Sequence, residues 1–402
     1  LCGGGIGKIE AETGSVGSRH GNQRRVGTDS IINRGMRIVG MNDTLPTTPE
    51  QLAARIRDWG RELGFASVGF AGVDLGEAET RLIDWLAAGR HGDMHYMERH
   101  GATRARPAEL VPGTTSIVSV RMAYWPDPSE AADAQAVLDD PEAAYISRYA
   151  LGRDYHKVLR ARLQALADRI EALVGPFGYR AFTDSAPVME VEIARRAALG
   201  WRGKHTLLIH RDAGSLFFLG ELYTNLPLPP DAPQADHCGT CTRCIDVCPT
   251  GAIVAPYQLD ARLCVSYLTI ELDGAIPEAL RPAIGNRIYG CDDCQLACPW
   301  NRHAQLAVAP DFAVRNGLDR ASLAELFAWS EAEFDARLAG SAIRRIGHER
   351  WLRNIAVALG NAPRAAAARN ALTARADHPS AMVREHVGWA LARQHSPDSS
   401  HD

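Results

Sequence analysis

The chain has 402 residues, 46% hydrophobic and 23% charged, an ordinary globular composition with room for two or three domains. Lys and Arg number 44 against 48 Asp and Glu, a net charge of −4, so no global positive field draws nucleic acid and any such binding must use local patches. No apolar run reaches the roughly 20 residues that span a bilayer, and a reducing cytoplasm is the expected compartment.

Residues 1–48 are rich in Gly, Ser, Arg and Asn and show little apolar periodicity, so they are expected to be upstream sequence or a disordered leader. Within them the glycines from Gly3 to Gly7 before Lys8 look like a phosphate loop, but no strand precedes them and no Ser or Thr follows the lysine. Leu52, Ile56, Trp59 and Leu63 recur at helical spacing, which predicts an amphipathic helix over 49–65 with Pro49 at its start. A strand over 66–71 and a helix over 80–88 follow. The stretch from His91 to Met97 is rich in polar aromatics and methionine, and reads as a packed loop or a binding loop. An apolar strand is expected over 116–124.

Asp154, Tyr155 and His156 open a long helix to about Val174. They begin like the D-x-H-x-x-G motif of one cobalamin class, but Leu159 takes the glycine position, so His156 reads as a helix-start residue or polar contact and not a cobalt ligand. Asp184 stands at a strand end before another helix, where a carboxylate is either a helix N-cap or part of an active site. A glycine-flanked turn from Gly200 leads into a buried strand ending at Ile209, and a further strand covers 215–222. Alternating strands and helices over 49–226 predict an α/β or α+β catalytic domain. The proline-rich segment from Leu226 to Pro233 reads as a stiff linker.

Eight of the nine cysteines fall between Cys238 and Cys298. Cys238, Cys241, Cys244 and Cys248 with Pro249 make a C-x2-C-x2-C-x3-C-P run, the bacterial ferredoxin spacing in which the fourth cysteine serves the other cluster. Cys291, Cys294 and Cys298 with Pro299 form a second run, and Cys264 replaces its missing first member. The spacing therefore assigns Cys238, Cys241, Cys244 and Cys298 to one 4Fe–4S cluster, and Cys248, Cys264, Cys291 and Cys294 to another. Structural zinc fits the doubled Cys-Pro endings less well. A ferredoxin-like double-cluster domain over 227–305 follows.

Beyond it the chain turns helical. The segments from Asn354 to Leu359 and from His386 to Leu391 match at a fixed separation, which fits one or two HEAT-like helical pairs over 306–395 or an unrelated helical cap. Arg344, Arg345, Arg350 and Arg353 stand against Glu349 alone at the entry to these helices, either as a phosphate-binding face or as a solvated one. Residues 396–402 read as a disordered tail.

Together the run from Ser147 to His156, Asp184 to Pro187, Gly200 with Trp201, Gly203 with Lys204, Ile270 with Glu271, Gly285 to Cys291 and the eight cysteines resemble the epoxyqueuosine reductase family over about residues 49–393. The resemblance implies a cobalamin-binding reductase domain over 49–226, two 4Fe–4S clusters and C-terminal HEAT-like helices. It implies reduction of epoxyqueuosine to queuosine at the wobble position of tRNAs with GUN anticodons (those for Asp, Asn, His and Tyr), the final step of queuosine synthesis. It makes Asp184 the proton donor, with the raised pKa that a buried carboxyl can have. It places Arg104, Ser147, Leu208, Leu219 and Ser266 at the cobalamin together with Asp184. The implied partners are that tRNA and a low-potential donor such as flavodoxin or ferredoxin, with no membrane and a monomeric protein. A corrinoid reductive dehalogenase shares the chemistry but should lack an RNA-binding cap. A plain two-cluster electron carrier does not need the large domain before the cysteines.

Overall fold

The computed structural model describes residues 47–395. Residues 1–46 and 396–402, which carry Cys2, the glycine-rich stretch and the expected tail, lie outside the described residues. Thr48, counted with the leader, instead caps the first helix. It accepts from the Gln51 amide while Gln51 Oε1 accepts from the Thr48 amide, so two otherwise orphaned donors are satisfied reciprocally. With Pro49 in the first turn, the helix Pro49–Glu62 starts where the sequence predicts. It ends three residues before the expected Phe65, because the chain turns at Gly64 with φ +83°.

Four strands lie side by side in the order Ser67–Ala71, Ser116–Ala123, Phe217–Thr224, Tyr179–Phe182, each antiparallel to its neighbour. An all-antiparallel sheet decides between the two expected classes: the domain is α+β, because no βαβ crossover joins parallel neighbours. Side chains alternate across the sheet. Val118, Val120, Phe218 and Leu222 face the helices Pro49–Glu62 and Tyr155–Val174, where they pack with Leu52, Ile56, Leu159 and Leu163. Ile117, Phe217 and Tyr223 face the other way, toward Ile193 and Ala194 of the helix Glu190–Arg196. That helix ends hard against the sheet, where a Cβ on Gly69 would lie 1.9 Å from the Ala197 carbonyl oxygen.

The expected linker is pinned rather than free. Leu226 and Leu228 are buried in the main core, and Asp231 accepts from the Phe70 amide at 2.9 Å and from Arg57 at 2.6 Å. The cysteine segment is also tied back by strand pairing, since Arg287–Tyr289 runs parallel to Tyr145–Ile146. The matching C-terminal segments lie on the helices Gly347–Asn361 and Ala381–His395. These pack side by side, so closely that a Cβ on Gly360 would fall 2.6 Å from the Trp389 ring. No described helix is long and apolar enough to cross a membrane.

Candidate active site and iron–sulfur ligands

Asp184 follows the carboxyl end of the strand Tyr179–Phe182, and its φ of +40° lies in the left-handed region that aspartate tolerates better than most residues. It caps no helix: Glu190–Arg196 has Met189 at its cap and no side-chain cap bond. The carboxylate instead lines a cavity of about 650 Å³. Tyr155 donates its hydroxyl to Asp184 Oδ2, and His156 Nε2 lies 3.4 Å from the same oxygen. Both partners come from the first turn of the helix Tyr155–Val174, which Asp154 caps by accepting from the His156 amide. Asp154 also accepts from Arg345 Nη2 at 2.8 Å and meets His156 Nδ1 at 2.8 Å.

The charges of this group differ from the expectation. Burial alone would raise the Asp184 carboxyl, but His156 and Tyr155 outweigh it and hold it below the usual carboxylate range. Burial alone would lower the His156 imidazole, but Asp154 and Asp184 on either side raise it. The raised carboxyls lie next door. Glu190, whose Oε1 accepts from the Asp184 amide at 2.5 Å, is pushed up to about 8 by burial and by the Asp184 charge. Glu221, fully buried opposite Phe182 in the sheet, is raised well above the usual range by burial and by both neighbours. Sequence reasoning missed Glu190 and Glu221. A glutamate at an inward position of an apolar strand was the available signal for the second.

The other candidate pocket residues divide. Leu208 and Leu219 line the cavity with Val188, Met94 and Phe217. Arg104 lines it too, its guanidinium fixed on the Tyr96 carbonyl at 2.8 Å and the Met97 carbonyl at 3.3 Å. Ser147 is buried behind it and donates to Asp292 at 2.5 Å. Ser266 is buried with no hydrogen-bond partner for its hydroxyl among the described residues. The stretch from His91 onward becomes the short helix His95–His100, and Met94, Tyr96 and Met97 from it form cavity wall.

Cys238, Cys241, Cys244 and Cys298 line one smaller cavity of about 240 Å³, the foursome that the spacing assigns together. Around Cys294 burial raises the thiol first, and the nearby Cys264 and Cys248 raise it further. None of the eight forms a disulfide. Buried and half-buried thiols gathered in two groups suit polynuclear iron, whose positive charge offsets what thiolates would otherwise cost. Gln295, next in the chain to Cys294, lines the large cavity.

Most of the arginine-rich stretch is held by partners inside the protein. Arg353 is fully buried, donating to the Leu268, Leu272 and Gly274 carbonyls, and burial lowers its pKa to about 9. Arg350 reaches the Ile270 and Ile346 carbonyls, and Arg345 is taken by Asp154. Arg344 alone of the four is exposed, and it pairs with Asp335. Local charge counting could not anticipate these partners, which come from distant segments.

A family model described as "Epoxyqueuosine reductase QueG, DUF1730" matches residues 104–185, and a "4Fe-4S double cluster binding domain" matches residues 237–301, which include all eight cysteines. The chain is 61% identical over 375 residues to an epoxyqueuosine reductase of Burkholderia pseudomallei, covering 85% of this chain and 92% of that one. A crystal structure of epoxyqueuosine reductase with an epoxyqueuosine-modified tRNA-Tyr stem loop superposes with a TM-score of 0.79 at 31% identity, covering 87% of this chain and 92% of that one. The Bacillus subtilis enzyme, with its catalytic aspartate loop swung out of the active site, superposes with a TM-score of 0.77 at 30% identity, covering 87% and 92%.

Proposed function

This chain belongs to the epoxyqueuosine reductase family, and we propose that it removes the epoxide oxygen of epoxyqueuosine at the wobble position of GUN-anticodon tRNA, with cobalamin in the large cavity and two 4Fe–4S clusters on the eight cysteines. One observation carries the reading: Asp184 stands on a left-handed loop at the wall of a cavity of about 650 Å³ that is also lined by Gln295, the residue after Cys294. A largely apolar cavity of that size suits a corrin ring, with Leu208 and Leu219 as its wall and Arg104 at its edge. The unpartnered Ser266 hydroxyl suits a polar contact, and Ser147 acts from behind by holding Asp292. When bound, these groups supply two electrons singly from a low-potential donor such as flavodoxin or ferredoxin.

The protein's own residues handle the protons. Asp184 meets the leaving oxygen, and His156 reloads it. With Nδ1 protonated toward Asp154, the neutral ring can accept from Arg345 Nη1, 3.1 Å from Nε2; the doubly protonated ring can donate from Nε2 to Asp184. Two such states within one fixed ring are what a proton shuttle needs. The base must leave its stack to enter the cavity, as for other enzymes that act on a base. The helices over 306–395 act as a HEAT-like support.

Anaerobic turnover tests this. Protein with both clusters and cobalamin, given a low-potential reductant and epoxyqueuosine-containing tRNA, should yield queuosine by nucleoside mass analysis. No product from fully loaded protein would refute the reading.

A further inference from the structure

Removing an oxirane oxygen as water consumes two electrons and two protons, leaving a carbon–carbon double bond. The Asp184–His156 pair supplies one proton. We infer that Glu190, backed by Glu221, is the second acid of the site: Asp184 protonates the oxygen as the ring opens, and Glu190 delivers the proton that completes the water. The electrons come from the low-potential one-electron donor of the proposed reaction, on which this inference rests.

The geometry points to Glu190 because it shares the cavity wall with Asp184 and touches it directly, Oε1 receiving the Asp184 amide at 2.5 Å. Its exposure is therefore to the cavity. Behind it, Glu221 is fully buried on the central strand Phe217–Thr224, and neither of its carboxylate oxygens has a hydrogen-bond partner among the described residues. The residue paired with it on the other side, Ser119, is likewise buried with an unpartnered hydroxyl. An ionised carboxylate does not persist in such a place, so Glu221 holds its proton. Glu190 on the cavity wall and Glu221 buried behind it form a short reserve of protons beside an ionised carboxylate, where the reaction uses them.

The charged and titratable groups facing Glu190 are few. Asp184 is in contact, with Tyr155 and His156 beyond it on the long helix. From the sheet come Glu221 and Tyr223, whose hydroxyl burial raises first and these glutamates raise further. Arg121 projects from the neighbouring strand beside Phe217. Arg202 lines the same cavity but donates to the Tyr257 carbonyl. On its own helix, Glu192 is occupied by Arg195 and Arg196. No described cation pairs with Glu190, so its proton is kept up to about pH 8 and lost above.

The test uses full-length protein carrying both clusters and cobalamin. Infrared spectra at neutral pH should show protonated-carboxyl carbonyl bands, one removed by Glu190→Gln and another by Glu221→Gln. Single-turnover queuosine formation should fall by about 100-fold in Glu190→Gln, with substrate affinity kept. The wild-type rate should decline as pH rises through about 8, and Glu190→Gln should lose the part of that decline that Glu190 sets, keeping only the one set by His156. Glu190→Asp, which retains an acid, should recover most of the rate and that part of the decline. Wild-type rate and pH profile in Glu190→Gln, or no missing infrared band, would overturn the inference while leaving queuosine formation by the wild type intact. A wild type that makes no queuosine would remove the underlying reading and this with it.

Discussion

His156 Nε2 lies 3.4 Å from Asp184 Oδ2 while its Nδ1 lies 2.8 Å from Asp154 Oδ1, so one buried imidazole bridges two carboxylates. Asp184 is thereby kept ionised at rest and depends on its neighbour for a proton.

Asp184→Asn should keep both clusters and bound cobalamin and lose turnover by 100-fold or more, within the ~10²–10⁴ range of a positioned acid. His156→Gln should also lose turnover, because Asp184 then lacks the group that reloads it although Tyr155 still holds the carboxylate in place. Iron analysis and single-turnover rates check both. Full activity of the Asn variant would remove the proton-donor role.

Asp154 contributes stability with a definite pH dependence. Burial alone would raise its carboxyl, but His156 and Arg345 outweigh that and hold it at about 2. Its folded value is depressed, so its contribution is present above the ordinary pKa of about 3.9 and is lost as pH falls through about 2. Against Asp154→Asn it should be worth about 2 to 3 kcal/mol at neutral pH. Denaturation curves of the two proteins should converge in acid. The raised His156 has the opposite sign: its share is lost as pH rises through its folded value.

Cys264→Ala should lose about half of the bound iron, since Cys264 serves only the second group in the assignment from spacing. Cys241→Ala should lose the other half. Iron content and electron paramagnetic resonance of the reduced proteins distinguish them, and unchanged iron in the first variant would sink the assignment.

The buried arginines should report on folding and not on RNA. Arg353→Met leaves three carbonyls without their donor, and should cost roughly 3 kcal/mol or more. Arg344→Ala, at an exposed pair, should change stability by no more than about 0.5 kcal/mol. Thermal denaturation measures both, and similar shifts for the two would contradict the burial.

Part of this was legible in the chain because it is local. Cluster ligation needs thiolates on short loops, so the spacing of Cys238, Cys241 and Cys244 carries its meaning in seven residues. The helix start at Pro49 and the apolar strand over 215–222 are likewise written in neighbouring residues. What only the tertiary structure decided depends on segments far apart in sequence. The sheet is antiparallel throughout, a matter of pairing order that periodicity does not encode. Arg345, Arg350 and Arg353 look like a basic face until Asp154 and the carbonyls of 268–274 close around them. The proton placement among Asp184, Glu190 and Glu221 depends on which of three carboxylates His156 and Tyr155 reach. Desolvation and charge act through space, and so sequence distance cannot assign them.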